Sequence, residues 1–267
     1  MNISHEDQAD LERAIVILEN PGLTSKLVDV VGWPVEKALA LLPGNWKSIV
    51  HGATHKALTA AVELVVLTIG DSDPRPASNF LHRLLVAASG AGGGAFGLAS
   101  LPVELPFSTG LMLRSIADIA RSQGEDVRAT ETKLACLEVF ALGGKADGDD
   151  AMESGYLAVR SLLAREVSEA AKFIAERGLV ENAPAIVRLI GSIGSRFGLV
   201  VTEKVAAQAV PVIGAVGGAL VNTVFMDHFQ DLARAHFTIR RLERRYGAEE
   251  IRSLYRQLRG RLGRSAG

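Results

Sequence analysis

The run Val205–Met226, VAAQAVPVIGAVGGALVNTVFM, holds no charged residue, and a second uncharged run, Leu84–Val103, reads LLVAASGAGGGAFGLASLPV. Each is about as long as the ~20 residues with which a helix crosses a bilayer. Both are too rich in Gly and Ala for a confident span. Gln208, Pro211 and Asn222 weaken the first, and Pro102 with five glycines weakens the second. Such a segment either packs tightly inside a helical globule or passes between protein and lipid, with core packing the first expectation. Small residues four apart let helix backbones approach closely in either setting. The pairs are Gly90 and Gly94, Gly93 and Gly97, Gly194 and Gly198, and Gly214 and Gly218.

Outward from these runs the periodicity is helical, with almost no apolar/polar alternation of the strand type. Ser4 with Asp7 predicts a capped helix to about Glu19, stopped by Asn20, Pro21 and Gly22. Further helices are expected over 25–42 with a kink or restart at Pro34, over 46–70, and from about 79 into the first glycine run. The LPVELP at 101–106 reads as a break. After it come 107–122, 130–142 capped by Thr130, 151–177, 183–197, 202–208, 212–245 and 248–262. Residues 71–78 and 143–150 (GGKADGDD) read as loops. The fold class is all-α, a multi-helix globular bundle with two Gly-rich apolar segments. Its expected parts are an N-terminal helical extension at 1–45, a main domain at 46–262 and a disordered tail at 263–267. The two runs with their following Ala/Arg helices also echo each other faintly.

A chain of 267 residues needs neither disulfide nor metal to hold a core. Cys136, the one cysteine, sits in an apolar run and reads as a buried thiol in a reducing compartment. The acidic start MNISHEDQADLERA has no secretory character, so a cytoplasmic location is expected, peripheral on the inner face of the membrane if lipid is contacted. A net charge of −1 conceals a dipole. Nine arginines between Arg240 and Arg264 face three glutamates, leaving the rest of the chain acidic. Arg241, Arg245, Arg252, Arg256 and Arg259 are therefore candidate contacts to anionic lipid. No module for nucleic acid accompanies them.

Polar groups in apolar surroundings are the other candidates, because a buried charge implies pairing or use. They are Glu104, Arg114, Asp118, Glu131, Lys204, Asn222, Asp227, His228 and Asp231, with Glu138 two turns beyond Glu131. Structural ion pairs are the plainer expectation; acid/base work by Glu104 with Asp227, His228 and Asp231 is the sharper one. No H-E-x-x-H, E-x-x-H or C-x-x-C spacing supports a metal, and no cofactor is expected. His51 and His55, four apart, read as a helix surface. Gly92, Gly94 and Gly97 fit G-x-G-x-x-G, but no strand precedes them and Pro102 follows, against a dinucleotide site.

At these residues the chain resembles the EcsC family, bacterial proteins named for a component encoded beside an ABC-type exporter. The resemblance rests on the Gly-rich run followed by Leu101, Pro102, Glu104, Leu105 and Pro106, then Arg114 through Gly124. It continues at Lys204, Pro211, Gly214, Gly218 and Asn222, and closes at Arg240, Arg241, Leu242, Tyr246 and Gly247. Glu104 stands where Asp is common, and Ser122–Gln123 precede Gly124 where Tyr-Gly is usual. The resemblance implies membrane association, with a link to transport or secretion, and no catalytic residues. The leading expectation is an amphitropic helical protein assisting a membrane complex or binding lipid. The alternatives are a hydrolase acting on lipid or peptide, and a soluble interaction scaffold; oligomeric state is open.

Overall fold

The computed structural model describes residues 3–20, 22–68, 97–144, 155–180, 182–210 and 214–265. Among them are ten α-helices and no strand. They are α1 (His5–Glu19), α2 (Leu23–Val31), α3 (Val35–Leu39), α4 (Trp46–Thr68), α5 (Leu101–Ser122), α6 (Thr130–Leu142), α7 (Tyr156–Arg177), α8 (Pro184–Gln208), α9 (Gly214–Tyr246) and α10 (Ala248–Ser265). A 3₁₀ turn, Gly97–Ser100, leads into α5. Gly90, Gly93, Gly94 and the loop at 71–78 lie outside the described residues.

Two helices organise the rest. Beyond its polar first turn α6 is apolar apart from Glu138, and every residue from Leu134 to Leu142 is buried. The 33-residue α9 is roughly 50 Å long and packs against α1, α2, α5, α6, α8 and α10. Between them Phe140, Phe197, Phe225 and Phe229 interlock, with centroids 4.9 Å apart for Phe140–Phe197 and 5.1 Å for Phe225–Phe229. Edge-on and tilted rings of this kind add to simple burial.

Ser4 caps α1 by accepting from the Asp7 N–H at 3.1 Å. Leu11 and Ile15 place the segment read as an extension in the same hydrophobic core as α9. Of the kink or restart expected at Pro34, the structure has the restart: the proline separates two short helices.

Four local expectations are corrected. The LPVELP segment does not break the chain: α5 begins at Leu101 and continues through Pro106. Pro102 lies in the first turn, where its missing N–H has no partner to lose, and Pro106 costs one further backbone bond. The expected gap after Phe197 is absent, because Ile186, Leu189, Ile190, Ile193, Phe197, Val200, Val201 and Lys204 form an unbroken buried stripe along α8. Thr130 is the first residue of α6 and not its cap; Ala129 occupies that place. The break expected inside the run 205–226 is present, since α8 ends at Gln208 and α9 starts at Gly214. At the other end, α10 continues to Ser265, past the start of the expected tail.

Among the described residues, α8 is long and apolar enough to cross a membrane. It packs against α4, α6, α7 and α9 and carries a fully buried lysine, while 39% of its apolar window is buried.

Candidate functional site

The last turn of α8, the first turn of α5 and the apolar half of α9 meet at a buried charge. Lys204 Nζ donates to Glu104 Oε1 at 2.8 Å and Oε2 at 3.0 Å, and Asn222 Nδ2 donates to Oε1 at 2.9 Å. The ammonium also lies 4.8 Å from the centre of the Phe225 ring. Burial pushes the Glu104 carboxyl up, but Lys204, Asn222 and Ser108 outweigh it and hold it below the usual range. The result is a closed, satisfied ion pair joining three helices that are distant in sequence.

Of the remaining members of the proposed acid/base group, Asp231 is engaged elsewhere. Asp231 lies nine residues beyond Asn222, roughly 13 Å along α9. It bonds Lys26 at 3.2 Å and Arg234 at 2.7 Å in a half-exposed ion pair. His228 is buried against Gly143, and Asp227 lies beside it on α9. Arg114 is exposed, while Asp118 pairs with Arg121 at 3.0 Å instead. Among the described residues no group of His, Cys, Asp and Glu is arranged to hold a metal. Cys136 is fully buried, and burial pushes its thiol up to about 12. His51 and His55 are exposed on α4.

A second polar cluster lies toward the opposite end of α9 and opens to solvent. A cleft of about 500 Å³ between α6, α7, α9 and α10 is lined by Glu131, Glu138, Arg160, Arg240, Arg252 and Arg256, among others. Glu138 is buried, and its nearest polar partner among the described residues is His236 Nε2 at 3.9 Å, too far for a hydrogen bond. The imidazole is held from its other side, where Tyr156 Oη lies 3.0 Å from Nδ1. Arg160 donates to Tyr156 at 3.4 Å and, by a two-pronged contact of 2.9 and 2.7 Å, to Glu243. Arg240 is similarly bound to Glu125, which Arg244 also contacts. With both arginines engaged elsewhere, burial dominates at Glu138 and raises its carboxyl to about 7. Burial and the two arginines keep His236 well below its usual range, hence neutral.

A model of the EcsC protein family matches residues 75–242. The chain belongs to the EcsC family. The match takes in both uncharged runs, the Glu104–Lys204–Asn222 cluster and the floor of the cleft as far as Arg240. Helices α1–α4 and α10 fall outside it. Among curated proteins and among solved structures, nothing matches.

In this EcsC chain most of the arginines expected to contact lipid bind the protein itself. Arg241 bonds Asp7 at 3.3 Å and Asp10 at 2.6 Å, and Arg245 bonds Asp7 at 2.9 Å. Arg259 bonds Glu19 at 3.2 Å, and Arg252 bonds Glu249 at 2.9 Å. The acidic side chains of α1 were the missing counter-charges, so the sequence dipole is a clamp that fastens α1 onto α9 and α10. The Tyr246 hydroxyl, with Ser4 and the two arginines, holds Asp7 below the usual carboxylate range against the effect of its burial. Arg256 is exposed and has no ion pair among the described residues.

The sequence reading named Glu131 and Glu138 but passed over Tyr156, Arg160, His236 and Glu243. A signal was present: His236, Arg240 and Glu243 recur at helical spacing and form one polar stripe on α9. Of the glycines, Gly218 is buried near the start of α9, of which Gly214 is the first residue. A Cβ on Gly194 would meet Leu58 at 3.4 Å, whereas one on Gly198 would meet nothing within 4 Å.

Proposed function

We propose that this EcsC-family protein is amphitropic and docks on the cytoplasmic face of a membrane through the end of the bundle where α5, α8 and α9 meet at Glu104. The observation that carries this reading is exposed apolar surface at that end. Val103 and Phe107, one turn apart on α5, are 73% and 53% exposed, and Leu220 on α9 is 49% exposed. Charge is scarce there: Glu104 and Lys204 neutralise each other in the interior, and α9 carries no charge before Asp227. Exposed apolar side chains grouped in an uncharged region favour contact with lipid or with a membrane complex. Because the C-terminal arginines are largely engaged with α1, adhesion through apolar insertion is expected to depend little on anionic lipid.

Liposome flotation tests this. The wild-type chain is expected to float with both neutral and anionic vesicles. The Val103→Glu/Phe107→Glu double variant, altered only at exposed positions, is expected to lose ~10-fold or more of its partitioning, given that each apolar side chain contributes roughly 1.5–3 kcal/mol when buried. Recovery of the wild type only in the soluble fraction with both lipids removes the reading.

A further inference from the structure

We propose that the cleft between α6, α7, α9 and α10 binds a small water-soluble phosphate ester bearing a free hydroxyl, with guanidinium groups taking the phosphate and Glu138 the hydroxyl. The cleft, about 500 Å³, is within the range of ordinary small-molecule sites. Its floor holds a carboxyl that is 5% exposed and has no hydrogen bond from any described residue. Beside it, His236 Nε2 is fully buried and also lacks a hydrogen-bond partner. Glu138 lines the cleft with hydrogen-bonding capacity that no described residue fills, and the unpaired His236 Nε2 lies 3.9 Å behind it, so the carboxyl marks a place that a ligand completes. Arg160 donates to the Tyr156 oxygen, which leaves the tyrosine proton for His236 Nδ1. That arrangement puts the imidazole proton on Nε2, aimed at the gap beside Glu138.

The walls favour an oxyanion. Arg256 has no ion pair among the described residues, and Arg240 binds Glu125 through Nε and Nη2, leaving Nη1 without a partner. Arg252 adds a third guanidinium from α10, itself paired with Glu249 at 2.9 Å and Glu243 at 3.6 Å. Donors arriving from two helices in different directions suit a tetrahedral phosphate, whereas one planar fork already satisfies a carboxylate. Glu131 is the countervailing charge on this surface; it lies in the first turn of α6, where the helix dipole offsets it. A lipid headgroup is the less suitable source. Arg240 is eighteen residues past Asn222, about 27 Å along α9 from the apolar end, so a bilayer touching that end does not reach the cleft.

Facing Glu138 are His236 and Arg240 of α9 and Tyr156 and Arg160 of α7, with Arg252 and Arg256 of α10 and Glu131 of α6 around the cleft. Of those facing it, the arginines stay charged, Tyr156 is raised to about 12 by burial and His236 stays neutral. Glu138 is therefore the facing group whose ionisation near neutrality opposes an anion.

Calorimetric titration of the full chain with glycerol phosphate, inorganic phosphate, glycerol and phosphatidylglycerol vesicles tests the proposal. Expected are saturable binding of glycerol phosphate, tighter than either fragment, and a loss of ~10-fold or more in Arg256→Gln, an exposed position whose change leaves the fold intact. Affinity is expected to fall above pH 7 more steeply in the wild type than in Glu138→Gln; that difference removes the ligand's own titration. Hydrogen exchange of the wild type, which needs no variant, is expected to show protection at α7 and α10 on adding glycerol phosphate. No saturable binding, binding unchanged in Arg256→Gln, or binding to vesicles alone overturns it. The site is remote from Val103 and Phe107, so this result and the flotation result fail or hold separately.

Discussion

Glu104 and Glu138 are equally buried, each side chain 6% exposed, yet their carboxyls are driven in opposite directions. At Glu104 a lysine, an asparagine and a serine converge on the carboxylate and keep it ionised. At Glu138 the two nearby arginines are already bound to Glu243 and Glu125, and burial prevails. Burial therefore does not determine ionisation by itself; the availability of partners does. The first cluster is sealed and holds helices together, while the second faces a cleft and has unfilled hydrogen-bonding capacity.

The most severe way to break the contrast is Lys204→Met. It leaves Glu104 buried without its counter-charge, and a loss of about 3–5 kcal/mol is expected in urea unfolding. The double variant Glu104→Gln/Lys204→Met is expected to recover most of that loss; equal losses in the two variants would show that the pair is not coupled.

The pH dependence of stability sharpens the contrast next. Glu138 is raised to about 7 in the fold, above its unfolded value near 4.5. Its contribution is thus fully present below about pH 4.5 and is lost as pH rises through 7, an effect of order 3 kcal/mol. Glu104 is lowered, so its contribution is present above 4.5 and is lost as pH falls through its folded value. Urea unfolding from about pH 2 to 8 is expected to show the first slope in the wild type and not in Glu138→Gln. Glu104→Gln is expected to remove part of the acid-side loss only.

The smallest effects separate individual partners. Asn222→Ala is expected to cost about 1–3 kcal/mol by removing a charge-assisted bond to Glu104, and Tyr156→Phe about 1 kcal/mol by freeing His236 Nδ1. With no shared partner, the two losses are expected to add in thermal unfolding of the double variant.

Much of this was legible in the residues. The helical class follows from three-and-four periodicity, and α6 was bounded from sequence alone to within one residue at its start. Glu104, Lys204 and Asn222 stood out as polar residues beside apolar runs. What misled was local chemistry taken without context. Pro106 reads as a breaker, but a single missing backbone bond is tolerated where Leu101, Leu105 and Glu104 anchor the turn in the core. The arginines of α9 and α10 read as free because their partners, Asp7, Asp10 and Glu19, lie more than 230 residues away.

By itself the sequence determined the helices, the uncharged character of 84–103 and 205–226, and the separation of charge between the two ends of the chain, because these depend on short-range spacing and composition. Tertiary structure alone decided which charges meet. Whether a carboxylate is closed off by a lysine 100 residues away, as Glu104 is, or left open to a cleft, as Glu138 is, depends on how helices cross, and long-range pairing leaves no periodic trace in a single chain.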